Sequence, residues 1–302
     1  MALVSVNGSI YKPEDAKISV YDRGFLFGDA IYEVFRSYGK ILFTLEQHLD
    51  RLYRSANAIQ LDIGYTPNEL VEQIYDFYKK ENIEDVYIRL QISRGNCAKE
   101  QINLSPNNTG KANIVMYLHD LKLPSPQTYE KGMSLYCTHI RRNTKLSMDP
   151  NIKSGNYLNN IIALLPKDSS KYHDTFFLDH EEYVTEGTTF NIFMVKNGVV
   201  QTCPNQSDIL QGITRDIVFH CADKANIDIK QDKFRLKALY NADEVFITSS
   251  TKEIMPVTKI DQEVIGSGRP GAITKKLIQQ YKDFVQQYLA NAKSQHPWRV
   301  DV

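Results

Sequence analysis

Four stretches of this chain carry residue types that could do chemistry together. Lys153 stands in Asn151-Ile-Lys-Ser-Gly-Asn-Tyr-Leu-Asn-Asn160, after the turn-forming Asp149-Pro150. An apolar run, Tyr157 to Leu165, follows it, and Pro166 stops that run. The segment predicts an amine beside a buried helix, and desolvation favours the neutral, nucleophilic form of an amine. Val184-Thr-Glu186-Gly-Thr-Thr-Phe-Asn191 sets a carboxylate between apolar strands. Carboxylates are seldom fully buried unless paired, so a buried Glu186 calls for a cation. Leu210-Gln-Gly-Ile-Thr-Arg-Asp216 places a glycine before a helix start, where the amides of Ile213 and Thr214 and a hydroxyl suit a phosphate. Val245 to Thr251 ends a strand in hydroxyls. Taken singly, each stretch also reads as ordinary structure: a solvated lysine, a glycine-entered helix, a plain turn.

The elements that must position them are legible in outline. Leu3 to Val6, a turn at Asn7-Gly8 and Ile10-Tyr11 read as a hairpin, and Asp29 to Tyr38 as a strand turning at Gly39 into Ile41 to Phe43. Thr44 to Gln47 has the pattern of a capping box, opening a helix with Leu45, Leu49, Leu52, Ala56 and Ile59 on one face. Thr66-Pro67-Asn68-Glu69 repeats that logic with proline at the first helical position. Strands are expected over Val86 to Ser93 and Ala112 to Leu118. Pro124 and Pro126 disfavour both helix and central strand and mark a linker over 121–128, between a small domain (1–120) and a larger one (129–302). Beyond it come a strand (Met133 to Ile140), strands from Thr175 to Thr202, a helix from Gly212 to Lys224, a strand at Glu244 to Thr248 and a helix from Ala272 to Leu289. Without strict βαβ alternation, the class is α+β.

Bulk properties narrow the function. A chain of 302 residues is long for one core, and 42% hydrophobic with 24% charged residues is ordinary for a globular protein. Its 36 basic and 36 acidic residues cancel, giving no electrostatic footprint for nucleic acid or an anionic membrane. The four cysteines lack metal or disulfide spacing, and the seven histidines lack metal spacing, so no metal site is expected. No secretory signal or bilayer-length apolar run is read, so a cytoplasmic protein is expected. Gly266-Ser-Gly-Arg-Pro-Gly271 matches the dinucleotide fingerprint only literally; Pro270 stands where amides would meet a pyrophosphate, and a turn before the last helix is the better reading.

Together these residues resemble the fold-type IV, pyridoxal-phosphate-dependent aminotransferases, the family holding the branched-chain and D-amino-acid aminotransferases. The resemblance runs from about Val4 to Leu289 with the motifs in family order. It implies two domains, the larger with a mixed, barrel-like sheet, and pyridoxal 5'-phosphate as cofactor. By this resemblance Lys153 is the catalytic lysine that holds the cofactor and shuttles a proton. Tyr157 meets its phenolic oxygen, and Glu186 pairs with the pyridine nitrogen. Arg51, in His48-Leu-Asp-Arg51-Leu, clamps the phosphate with the backbone of Ile213 and Thr214 and the turn at Ser250 and Thr251. Leu210 packs on the ring.

Within the family, Lys99 and Gln101 stand where D-amino-acid enzymes carry an Arg-x-His pair, and lysine lacks the arginine fork. Tyr87-Ile-Arg89 and Glu33 to Arg36, with Tyr32 ahead of them, resemble the branched-chain group, as does Arg141-Arg-Asn143. The implied substrate contacts are Tyr32, Arg36, Tyr87, Arg89, Thr251 and Lys252. The expected reaction is transamination between a branched-chain L-amino acid and a 2-oxo acid such as 2-oxoglutarate, in a homodimer. The alternatives are a D-amino-acid transaminase with a non-standard carboxylate site and an aminodeoxychorismate lyase.

Overall fold

The structure, a computed structural model, describes residues 2–81, 83–166 and 168–295. The chain divides into two compact units: Met1–Lys122, Ile152–Asn156 and Tyr288–Val302 form one, and Leu123–Asn151 with Tyr157–Gln287 the other.

The first unit contains β1 (Ala2–Val6), β2 (Ser9–Tyr11), α1 (Arg23–Phe27), β3 (Ala30–Tyr38), β4 (Ile41–Leu42), α2 (Leu45–Ala58), α3 (Pro67–Tyr78), β5 (Val86–Ser93) and β6 (Asn113–Asp120). Its strands form an antiparallel sheet in the order β2-β1-β6-β5-β3-β4. Strand period decides the faces. Val86, Ile88, Leu90 and Ile92 point into a core with Leu45, Leu49, Leu52 and Ala56 of α2 and Leu70, Ile74 and Phe77 of α3. Register puts Ile31 opposite Ile92, Glu33 opposite Leu90 and Phe35 opposite Ile88 on that same face. Tyr32, Arg36, Tyr87 and Arg89 therefore share the other face.

The capping box forms at Thr66, whose hydroxyl accepts from the Glu69 amide while Glu69 accepts from the Thr66 backbone. It does not form at Thr44. That residue has φ 52°, and its hydroxyl donates to the Phe43 carbonyl, so it cannot reach the helix amides.

In the second unit, α4 (Pro126–Lys131) begins inside the proline stretch, because Pro126 fits the first helical turn and Ser125 caps it. There follow β7 (Met133–Arg141), α5 (Leu158–Leu164), β8 (Asp174–Leu178), β9 (Val184–Gly187), β10 (Asn191–Lys196) and β11 (Val199–Thr202). Next come α6 (Ile213–Lys224), β12 (Ile229–Gln231), α7 (Leu236–Tyr240), β13 (Glu244–Ser249), β14 (Glu253–Ile260), β15 (Glu263–Val264) and α8 (Ala272–Gln295). Strands β10-β13-β14-β7-β8-β9 form a mixed sheet that closes on itself through the β9–β10 pairing. Its interior is apolar, with Leu135, Phe176, Ile192, Ile247, Met255 and Val257 among the buried side chains. The architecture is α+β. Glu244 accepts the amides of Ile273 and Thr274, so a carboxylate rather than a phosphate occupies the start of α8, after the glycine-rich turn.

Candidate active site

Lys153 lies on a short extended segment that adds to the edge of β3. The Tyr32 amide donates to the Lys153 carbonyl (2.9 Å), the Gly155 amide to the Ala30 carbonyl (2.7 Å), and Ile31 bridges Ser154. The Lys153 amide donates to Ser55 Oγ of α2 at 3.1 Å. The main chain on both sides of this amine is thus fixed by a strand and a helix. Its Nζ sits 4.5 Å from the Tyr32 ring centroid, and the Arg89 guanidinium lies 3.7 Å from the same ring. Gln91 Oε1 accepts from Arg89 Nε and Nη2 at 3.1 and 2.9 Å, steadying that cation. Arg36, buried, stacks 3.8 Å from the Tyr38 centroid, and Tyr87 stacks on His119. One sheet face therefore carries Tyr32, Arg36, Tyr87 and Arg89, all anticipated from sequence, with the Lys153 amine at Tyr32.

On the opposite face Arg51 is buried in an ion pair with Glu33. Arg51 Nε donates to Oε1 (2.7 Å) and Nη2 to Oε2 (2.8 Å), while His48 Nδ1 lies 2.7 Å from Oε2. Burial pushes the Glu33 carboxyl up, but Arg51 and then His48 outweigh it and hold it well below the usual carboxylate range.

In the second unit the predicted residues gather at one end of the closed sheet. Asn191 pairs with Glu186 of β9 on one side and with Thr248 of β13 on the other. Glu186 is buried, and its cation is Arg142: Nε donates to Oε1 at 2.9 Å and Nη2 lies 2.8 Å from it. Glu186 Oε2 accepts the Leu210 amide (2.9 Å), and the Leu210 carbonyl accepts from Asn191 (2.9 Å). Gly212 then enters α6. A Cβ there would lie 2.1 Å from Asn191 Oδ1, so the close approach demands glycine. The helix has no side-chain cap at Gly212, and the amides of Ile213 and Thr214 belong to its first turn. Ser249 Oγ closes the β13–β14 turn by accepting the Lys252 amide at 3.1 Å.

Three expectations change. The helix α5 is not buried: Leu158 is 66% and Ile161 51% exposed, and Leu165 beyond it 72%, while Asn160 and Ala163 face inward. The chain from Lys153 is extended until Leu158 starts the helix, so Tyr157 is not one helical turn from the lysine. The Lys252 backbone is engaged with Ser249 and with the Tyr129 hydroxyl, and its Nζ lies 2.9 Å from Asp174. Sequence reasoning missed Glu33, His48 and Ser55 as partners. Only Glu33, an acid at an apolar-row position, leaves a local signal. Arg142 was noticed as part of a motif, but no local pattern links it to a residue 44 positions on.

Comparison with known proteins gives one consistent answer. The family described as amino-transferase class IV matches residues 30–260. A Methanocaldococcus jannaschii protein assigned as a branched-chain-amino-acid aminotransferase is 38% identical over 93% of this chain and 95% of its own length. The D-alanine aminotransferase of Staphylococcus epidermidis is 36% identical over 95% of this chain and 99% of its own. Among solved structures, the branched-chain aminotransferase of the archaeon Thermoproteus uzoniensis, solved with norvaline, superposes with a TM-score of 0.84 at 30% identity, covering 98% of this chain and 97% of its own. A thermophile's branched-chain amino acid aminotransferase, solved with pyridoxamine 5'-phosphate, reaches a TM-score of 0.86 at 28% identity, covering 93% of each chain. With the family's match spanning both the Lys153 segment and the closed sheet, and relatives aligned along nearly the whole length, this chain belongs to the class IV aminotransferases and is an aminotransferase.

Proposed function

We propose that this aminotransferase moves an amino group from a branched-chain L-amino acid to a 2-oxo acid such as 2-oxoglutarate, with pyridoxal 5'-phosphate as its cofactor. The observation that carries the substrate is the sheet face bearing Tyr32, Arg36, Tyr87 and Arg89 beside the Lys153 amine. Aromatic walls suit a branched apolar side chain, and a guanidinium steadied by Gln91 suits a carboxylate.

The donor set fits the cofactor. A primary amine on a fixed backbone, a buried carboxylate, first-turn amides behind an obligatory glycine, and a hydroxyl-rich turn match its aldehyde, ring nitrogen and phosphate in kind. At that turn Thr248 Oγ1 is buried without a partner among the described residues. When bound, the group supplies the electron sink that acidifies the substrate Cα–H. Lys153 Nζ attaches the cofactor and takes that proton. Glu186, held by Arg142 and the Leu210 amide, serves the ring nitrogen, and Tyr157 the phenolic oxygen. Arg51, the Ile213 and Thr214 amides, Ser250 and Thr251 hold the phosphate, and Leu210 covers the ring. Of the Thr251-Lys252 pair, Thr251 is the better candidate for substrate, since the Lys252 backbone is already engaged.

The same reading includes a cytoplasmic homodimer, supported by the exposed apolar side chains of α5 and by four free cysteines. No described helix is long and apolar enough to cross a membrane. A second reading, D-amino-acid transamination, is favoured by the D-alanine aminotransferase relatives. Purified protein assayed with L-leucine and with D-alanine, each against 2-oxoglutarate, separates them. Turnover of L-leucine is expected, and turnover of the D-isomer alone overturns the proposal.

A further inference from the structure

Along β3 the core-facing row reads Ile31, Glu33, Phe35, and Glu33 is 0% exposed. A carboxylate in such a row is costly to bury, and an apolar residue would pack there without that cost. The acid is retained with both oxygens committed. It grips Arg51 side-on through Nε and Nη2 and also meets His48 Nδ1, three residues earlier on the same face of α2. Four residues after Arg51, Ser55 Oγ donates to the Arg51 carbonyl (3.0 Å) and accepts the Lys153 amide (3.1 Å). One helix therefore carries both Arg51 and the hydroxyl that fixes the Lys153 main chain, and Glu33 is the point at which the sheet grips that helix.

We propose that Glu33, seated by His48, is a positioning residue that orients Arg51 for the cofactor's phosphate. The inference rests on the pyridoxal-phosphate reading above. Two effects of the acid oppose each other. Its negative charge offsets the guanidinium's and weakens the pull on a phosphate dianion. Its bidentate grip removes the rotational freedom that an arginine otherwise loses on binding. In a fully buried pair with two short bonds the grip dominates, because an arginine left without it would leave its buried groups unsatisfied or turn away. Charge counting alone predicts that neutralising Glu33 tightens phosphate binding; orientation predicts that it loosens.

The test is titration of cofactor-stripped protein with pyridoxal 5'-phosphate and, separately, with pyridoxal. Wild type, Glu33→Gln, Glu33→Asp and His48→Gln are compared by absorbance. Both Glu33 variants are expected to lose ~10-fold in affinity for the phosphate ester while pyridoxal affinity stays within ~2-fold. Glu33→Asp keeps the charge but shortens the arm, so a loss there assigns the effect to orientation. Unchanged or tighter binding of the ester by Glu33→Gln overturns the inference. If the variants do not fold, wild type still decides. NMR of the apo protein, with Arg51 assigned through Arg51→Lys, should show its Nε–H slowly exchanging before any cofactor is added; fast exchange refutes prior orientation. Wild type that takes up neither compound refutes the pyridoxal-phosphate reading instead.

Discussion

Replacing Arg142 with methionine keeps most of the side chain's volume and removes the cation from Glu186. The pair is mostly buried, with Arg142 at 11% and Glu186 at 6% side-chain exposure. The change deletes the Nε–Oε1 bond (2.9 Å), its Nη2 companion (2.8 Å) and the 3.2 Å bond from Nη1 to Asn159 Oδ1. Hydrogen bonds to charged groups contribute about 1.5–3 kcal/mol each, and breaking a buried pair by removing one partner costs about 3–5 kcal/mol. The Leu210 amide still serves Oε2 and moderates the penalty. The expected loss is therefore about 3 kcal/mol, a large part of the ~5–15 kcal/mol that holds most domains together. For a unit of this size it corresponds to a melting point lower by ~6–12 °C. Urea denaturation followed by circular dichroism reads it, and Arg142→Met combined with Glu186→Gln should recover more than half of the loss. A single variant within ~0.5 kcal/mol of wild type would refute the claim that Arg142 supplies the counter-charge of a buried Glu186.

Gly212→Ala places a methyl group 2.1 Å from Asn191 Oδ1, so α6 or Asn191 must shift; cofactor affinity should fall at least ~10-fold while Gly198→Ala, whose Cβ meets nothing within 4 Å, leaves it unchanged. Equal effects of the two substitutions would contradict that account. Stability should fall on acidification through the Glu33 cluster. Burial, aided by Arg51 and Lys153 and opposed by Glu33, lowers the His48 pKa, so the unfolded chain binds the proton first and stability drops below pH ~6.5. Glu33, also lowered, contributes in full above its unfolded value of ~4.3 and loses that contribution as pH falls toward its folded one. Urea midpoints between pH ~7.5 and ~5 should decline in wild type and decline less in His48→Gln; a rise on acidification contradicts the signs.

Local patterns carried much of the fold. The alternation of Val86, Ile88, Leu90 and Ile92 decided a strand and its buried face, and the α2 stripe decided a helix, because both periods are written within one element. Thr44 and Thr66 show the limit: the same box pattern caps one helix and fails at the other, where the preceding strand leaves Thr44 at φ 52°. Closure of the sheet through Asn191 and Glu186 depends on pairings that no window of sequence contains. An apolar run such as Leu158 to Leu165 reads the same whether it faces a core or solvent. Site residues were found where type and spacing were unusual. Their partners, Arg142 for Glu186 and Glu33 for Arg51, come from distant elements and appear only once the chain is folded.

The central claim is that Lys153 is the amine through which this aminotransferase works, and covalent trapping tests it most directly. Protein loaded with pyridoxal 5'-phosphate is reduced with borohydride, digested, and its labelled peptide identified by mass spectrometry. The account predicts a single labelled peptide, modified at Lys153 and absent from Lys153→Ala. Stoichiometric label on a different lysine, or none on protein that transaminates, would contradict it.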